Sequence, residues 1–199
     1  NETDAAYNQF LSNASSKAQE IGTTIDGFVT STADFARLGF GFSESQELAE
    51  VANIYAVVGD EIDGVEGATE SLISTMTAFG IEASNSISIV DKFNIIGNNF
   101  AISSGGIGEA LERSASSMAA ANNSLDETIA LITAANTVVQ DPASVGQAFK
   151  TISMRIRGAK TELEEAGLDA EGMASSTAKL RQEIMALSGV DIMLDNTTF

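Results

Sequence analysis

Residues 43–76, SESQELAEVANIYAVVGDEIDGVEGATESLISTM, are echoed in different residues at 124–156, SLDETIALITAANTVVQDPASVGQAFKTISMRI. Each stretch opens with the spacing of a capping box, Ser43 with Gln46 and Ser124 with Glu127, in which side chains satisfy the free backbone N–H groups of a helix start. An apolar stripe follows at helical spacing: Leu48, Val51, Tyr55 and Val58 in the first, Ile129, Ile132, Asn136 and Val139 in the second. Both stripes break at an acid, Asp60 or Asp141, and resume as Leu72, Met76 and Phe79, or as Val145, Phe149, Ile152 and Ile156. The offset between the two stays near 80 residues. The pattern predicts an all-α chain, an array of antiparallel helical hairpins with an internal duplication of a helix pair.

Working outward, Tyr7, Phe10, Leu11, Ala14, Ala18 and Ile21 keep helical spacing up to Gly22, and Ile25, Phe28, Val29, Thr32 and Ala36 do so up to Gly39. GFGFS (39–43) reads as the turn into the first duplicated pair, with Gly64 and Gly67 loosening its middle and Gly80 closing it. Ile89, Phe93, Ile96 and Phe100 form one stripe. ISSGGIG (102–108) reads as a glycine-rich turn before Ile107, Leu111, Ser114, Met118 and Ala121. Asp141-Pro142 is a favourable helix start, with proline in the first turn. The expected organisation is an N-terminal helical segment at 1–40 and a duplicated core at 41–160, its copies at about 43–80 and 124–158. A linker at 161–176 and a last helix at 177–199, carrying Leu180, Ile184 and Leu187, would complete the chain. A chain opening at Asn1 and stopping at Phe199 after a polar run also reads as an internal piece of a longer protein.

Composition narrows the chemistry. With 199 residues the chain is long enough for a substantial core, and a single proline leaves helices little interrupted. Cysteine and histidine are both absent, which removes disulfides, thiol catalysis, the usual zinc sites, His-dependent triads and a histidine proton switch. The formal charge of −18 opposes nucleic acid and anionic membrane surfaces. It is uneven: residues 38–91 hold ten acids and no Lys or Arg, whereas Lys150, Arg155, Arg157 and Lys160 cluster. That basic segment reads as a solvated turn or as a dock for acidic surface, from this chain or another copy. No apolar run approaches the length of a membrane span.

Three motifs invite chemistry and decline it. ISSGGIGEAL lacks the strand and lysine of a phosphate loop. Asp60, Glu61, Asp63 and Glu66 suggest calcium, but Ile62 and Gly64 stand where an EF-hand loop places ligands. Paired carboxylates for glycoside hydrolysis carry no information among so many acids without aromatic platforms. The small-residue run at 114–121 suits close helix contact. The expectation is no enzyme, with no catalytic residues, no cofactor and no metal site.

More specific are the words TADFARLGF (32–40), VANIYAVVGDEID (51–63), VDKFNIIGNNFAISSGGIGEAL (90–111), DETIALITAANTVVQDP (126–142), VGQAFKTISMRIRGAKTELEEAG (145–167) and LSGVDIM (187–193). In this order they resemble the core region of bacteriophage tail tape measure proteins, from about Ser31 onward, with KTISMRIRG the strongest single word. The resemblance implies a scaffold that sets tail length while tail tube protein polymerises around it, aided by tail assembly chaperones. It implies several copies side by side, located in the host cytoplasm during assembly and in the tube lumen of the virion before DNA ejection. It supplies no catalytic residues for this region. A competing expectation from another class is a secreted or surface helical protein that binds a host partner without catalysis.

Overall fold

The computed structural model describes residues 2–158. The linker expected at 161–176 and the helix expected at 177–199 lie outside the described residues. Within them every regular element is helical: α1 Glu2–Ile21, α2 Ile25–Arg37, α3 Phe42–Val58, α4 Gly64–Phe79, α5 Ser86–Asn99, α6 Ser104–Ala120, α7 Leu125–Val139 and α8 Pro142–Gly158, with a 3₁₀ turn at Ala83–Asn85. The chain is all-α.

Local chemistry sets the helix starts. Thr24 and Ser103 accept from the backbone N–H groups of Gly27 and Gly106, each at 3.0 Å. At α7 the expected box forms: Ser124 Oγ accepts from Glu127 N at 3.2 Å, and Glu127 Oε2 accepts from Ser124 N at 2.8 Å. At α3 only half of a box forms, two residues before the expected Ser43–Gln46 pair. Gly41 is the cap, and its N–H donates to Glu44 Oε2 at 3.0 Å. An extended Gly41 lets the helix begin at Phe42, which places Ser43 and Gln46 inside it. Asp141 accepts from Ser144 N at 3.1 Å and Ser144 Oγ at 2.6 Å, and Pro142 occupies the first turn of α8 as expected. The middle of the first pair is a break between helices at 59–63, with Gly64 at its end and Gly67 in the first turn of α4. Gly64 opens α4, and Gly80, at φ +63, closes it.

The even-numbered helices begin at Ile25, Gly64, Ser104 and Pro142, in steps of 39, 40 and 38 residues. They stand side by side, α2 on α4, α4 on α6 and α6 on α8. They also run the same way. Gly27 faces Val65, Ser71 faces Gly108, and Leu38 shares a groove with Ala78 and Ala119. Gly106 meets Pro142, Gly146 meets Ala110, and Ser153 Oγ contacts Met118 Sδ at 2.9 Å. Each even helix packs on the odd helix before it, and the odd helices are tied by Lys17–Glu50 at 2.7 Å (α1 to α3), by Tyr55 edge-on to Phe93 (α3 to α5) and by a Lys92–Asp126 ion pair (α5 to α7). The offset of about 80 residues seen between 43–76 and 124–156 spans two such steps.

One apolar core runs through the row, from Phe35 on α2 through Leu48, Leu72, Phe93 and Leu111 to Ile132 and Val145. A smaller cluster of Phe10, Ala14, Phe28 and Ala49 seats α1 against the α2–α3 hairpin. The 1–40 segment is thereby packed onto the helices that follow it. Several stripe residues stay outside the core: Tyr7, Ala36, Val58, Phe100, Val139 and Ile152 are exposed. Polar residues fill the small spaces between close helices, as with Thr32, Ser114 and Asn136. Asn53 is the clearest of these. Its side chain donates to Ala49 O and Ser31 Oγ and accepts from Thr23 Oγ1 at 2.8 Å, so burial leaves its amide satisfied.

Candidate functional site

Two of the three motifs that invited chemistry in the sequence meet in space. The α3–α4 connection, which holds Asp60, Glu61 and Asp63, lies across the first turn of α6, which holds Ser104, Gly105 and Gly106. Asp60 N donates to Ser104 Oγ at 2.7 Å, and Gly105 N donates to Asp60 O at 2.9 Å. A Cβ at Gly105 would stand 2.6 Å from the Glu61 carbonyl carbon and 2.8 Å from Asp60 O. Glycine is required there so that backbone can lie on backbone. ISSGGIG is therefore no free turn. Ser103 is a cap, and residues 104–108 are the buried opening of α6. The turn itself is confined to 100–103.

Tyr55 closes this junction from below. Fully buried, it donates from Oη to Ser104 O at 2.7 Å, and Gly108 leaves room beside the hydroxyl. Burial pushes its ionisation well above the usual tyrosine range, so the phenol stays a proton donor and is no general base. Tyr55→Phe should leave the Ser104 carbonyl without its donor and cost about 1–3 kcal/mol. A urea midpoint unchanged from the parent would contradict this.

Above the tyrosine opens a cleft of about 330 Å³ lined by carboxylates from three elements: Glu61 and Asp63 on the connection, Glu70 on α4, Glu109 and Glu112 on α6. Arg113 pairs with Glu109 at 3.1 Å. Burial, then the neighbouring charges of Glu70 and Glu109, hold the Glu112 carboxyl above its ordinary range, with Arg113 opposing them. A folded-state pKa above the unfolded value means ionised Glu112 opposes folding, and this penalty vanishes below the unfolded pKa. Glu112→Gln should accordingly raise stability at neutral pH, and the gain should fade as pH falls through the carboxylate range. Chemical denaturation of both forms at pH 7 and pH 3.5 checks this; an equal difference at both pH values would contradict it.

The carboxylates of the cleft come from three elements, with Glu112 close enough to Glu70 and Glu109 to feel their charge. Asp60 and Glu66 do not line it with the others, and among the described residues no group of three acids converges closely enough to hold a metal ion. What the segment does is structural: it locks the end of one hairpin onto the start of the next even helix. Sequence reasoning missed that role for Gly105, Gly108 and Gly146. Their shared signal was a glycine inside an otherwise helical pattern, which costs helix stability unless something must come close.

Of the basic cluster, Arg155 and Arg157 lie in the last turn of α8 and are exposed. Among the described residues no helix is long and apolar enough to cross a membrane. A family model described as phage-related minor tail protein matches residues 15–193. No solved structure matches the chain.

Proposed function

This chain belongs to the phage-related minor tail protein family, and we propose that it is a stretch of a tail tape measure protein, the template whose extent sets tail length. The observation that carries the reading is the regular step. One hairpin follows another at 38–40 residues, each presenting the same kind of flank to the next, so every repeat adds the same length of chain. A reactive site would break such regularity at one repeat; here the cleft that gathers acids from the α3–α4 connection, α4 and α6 serves a helix junction.

The role assigns partners. Tail tube protein polymerises around the template, and tail assembly chaperones keep it from associating early. Several copies lie together in the tube lumen of the virion and leave before DNA passes. A charge of −18 suits that sequence of events, since it opposes retention by the polyanionic DNA that uses the same lumen. Tail length in virions whose chain has lost one hairpin in frame is the test, and a length distribution identical to the parent would sink the reading.

A further inference from the structure

The cleft above Tyr55 is lined by the carboxylates of Glu61, Asp63, Glu70, Glu109 and Glu112, with Arg113, paired to Glu109, as the base beside them. We propose that this cleft binds a linear polyamine, a slender chain bearing ammonium groups separated by three or four methylenes, as in spermidine.

Acids alone would make a solvated patch, and a buried hydroxyl makes this one a site. Ser71, on α4, lines the cleft, is 3% exposed, and its Oγ has no hydrogen-bond partner among the described residues. A hydroxyl buried in that way costs stability until a partner reaches it. Tyr55 Oη stands beside it, but the tyrosine proton goes to Ser104 O at 2.7 Å, so Tyr55 has none to give Ser71. Gly108 keeps the space around both hydroxyls clear: a Cβ there would stand 3.0 Å from Tyr55 Oη and closer still to Ser71 Oγ. Ser71 thus offers a lone pair at the foot of an acidic cleft. The complement of that lone pair is an N–H donor carrying positive charge.

The spacing of the carboxylates selects the form of the cation. Among the described residues no three acids converge closely enough to hold one metal ion. Along α4 they run from the cap residue Asp63 to Glu70, about 10 Å at the helical rise, and on α6 Glu109 and Glu112 lie about one turn apart. The lining between them is Ile62, Pro142 and glycine. Charges set at intervals along an otherwise uncharged wall match ammonium groups joined by methylenes. Burial and the charges of Glu70 and Glu109 disfavour ionised Glu112, and an ammonium group among the three removes the electrostatic part of that penalty. A volume of about 330 Å³ is in the range of small-molecule sites. The lining belongs to one junction of the row, a far smaller footprint than a stable protein interface needs.

Calorimetric titration of the full chain with spermidine at low, fixed ionic strength is the test. One spermidine should bind per chain, and Glu70→Gln with Glu112→Gln should weaken binding by about tenfold or more. Glu47→Gln with Asp91→Asn removes the same charge from exposed positions outside the cleft and should change affinity by less than about twofold. Ser71→Ala should weaken binding by about threefold without lowering the melting temperature of the free chain, because the group it removes has no partner there. Absence of saturable binding, equal losses in the two double variants, or Mg²⁺ displacing spermidine as well as spermidine displaces itself at equal ionic strength would overturn the proposal by reducing the cleft to part of a general acidic field. Trilysine, of the same net charge, binding the cleft more tightly than spermidine would also overturn it and give the site to a basic protein segment.

Discussion

Gly146→Val is expected to destabilise the chain by about 3 kcal/mol, the upper part of the range for overfilling a packed contact. For a chain of this size that is a fall of roughly 6–12 °C in Tm. The cause is local and has no soft alternative. A Cβ at residue 146 would lie 2.8 Å from the Ala110 Cα and 3.0 Å from its carbonyl carbon, so backbone, not a flexible side chain, must move. To relieve the overlap α8 must slide off α6, which exposes Val145 and opens the contact between Ser153 and Met118. Gly158, at the end of the same helix, has nothing within 4 Å of its Cβ position among the described residues. Gly158→Val should therefore stay within about 0.5 kcal/mol of the parent. Equal melting of the parent and Gly146→Val would mean that α6 and α8 are not in close contact.

The contrast between those two glycines marks how far the sequence could be read. Periodicity revealed the helices, because Leu48, Tyr55, Leu72, Phe93 and Leu111 fall where one helix face must be buried, and all five are. The α7 cap was legible because Ser124 and Glu127 have strong local preferences. At α3 two serines and two glutamates compete within five residues, and the start used is the one in which Glu44 accepts from Gly41 N–H. Ile152, given to the core by its spacing, is exposed, on a helix whose even-numbered neighbour among the described residues is α6. Spacing cannot tell which side of a helix has a neighbour.

The repeat was half visible. Residues 43–76 and 124–156 share capping and stripes closely enough to be matched, while α1–α2 and α5–α6 between them share mostly helix starts and spacing. Their Ala, Ser and Gly content reflects close even-to-even contacts, which impose small size without imposing identity. The acidic cleft was not legible as a junction, since Asp60 and Gly105 are adjacent only after folding. The resemblance to tape measure proteins and the family match agree on a phage tail protein.

The larger effect lies at the level of the virion. Excising residues 86–124 in frame removes one helix pair, α5 with α6, and joins Asn85, itself a good helix cap, to Leu125 at the start of α7. A chain drawn out as helix advances about 1.5 Å per residue, so one step shortens the template by about 60 Å. If the hairpins remained stacked side by side, the loss would be one interhelix spacing, about 10 Å. The ruler reading requires the first value, because a template spanning a tail must be extended along it. Duplicating the same residues should lengthen tails by the same amount.

Tail length in electron micrographs of the excised phage, set beside its parent, tests the central claim most directly. A distribution displaced by about 60 Å toward shorter tails is the expected result; tails of parental length would contradict the claim that these repeats measure anything.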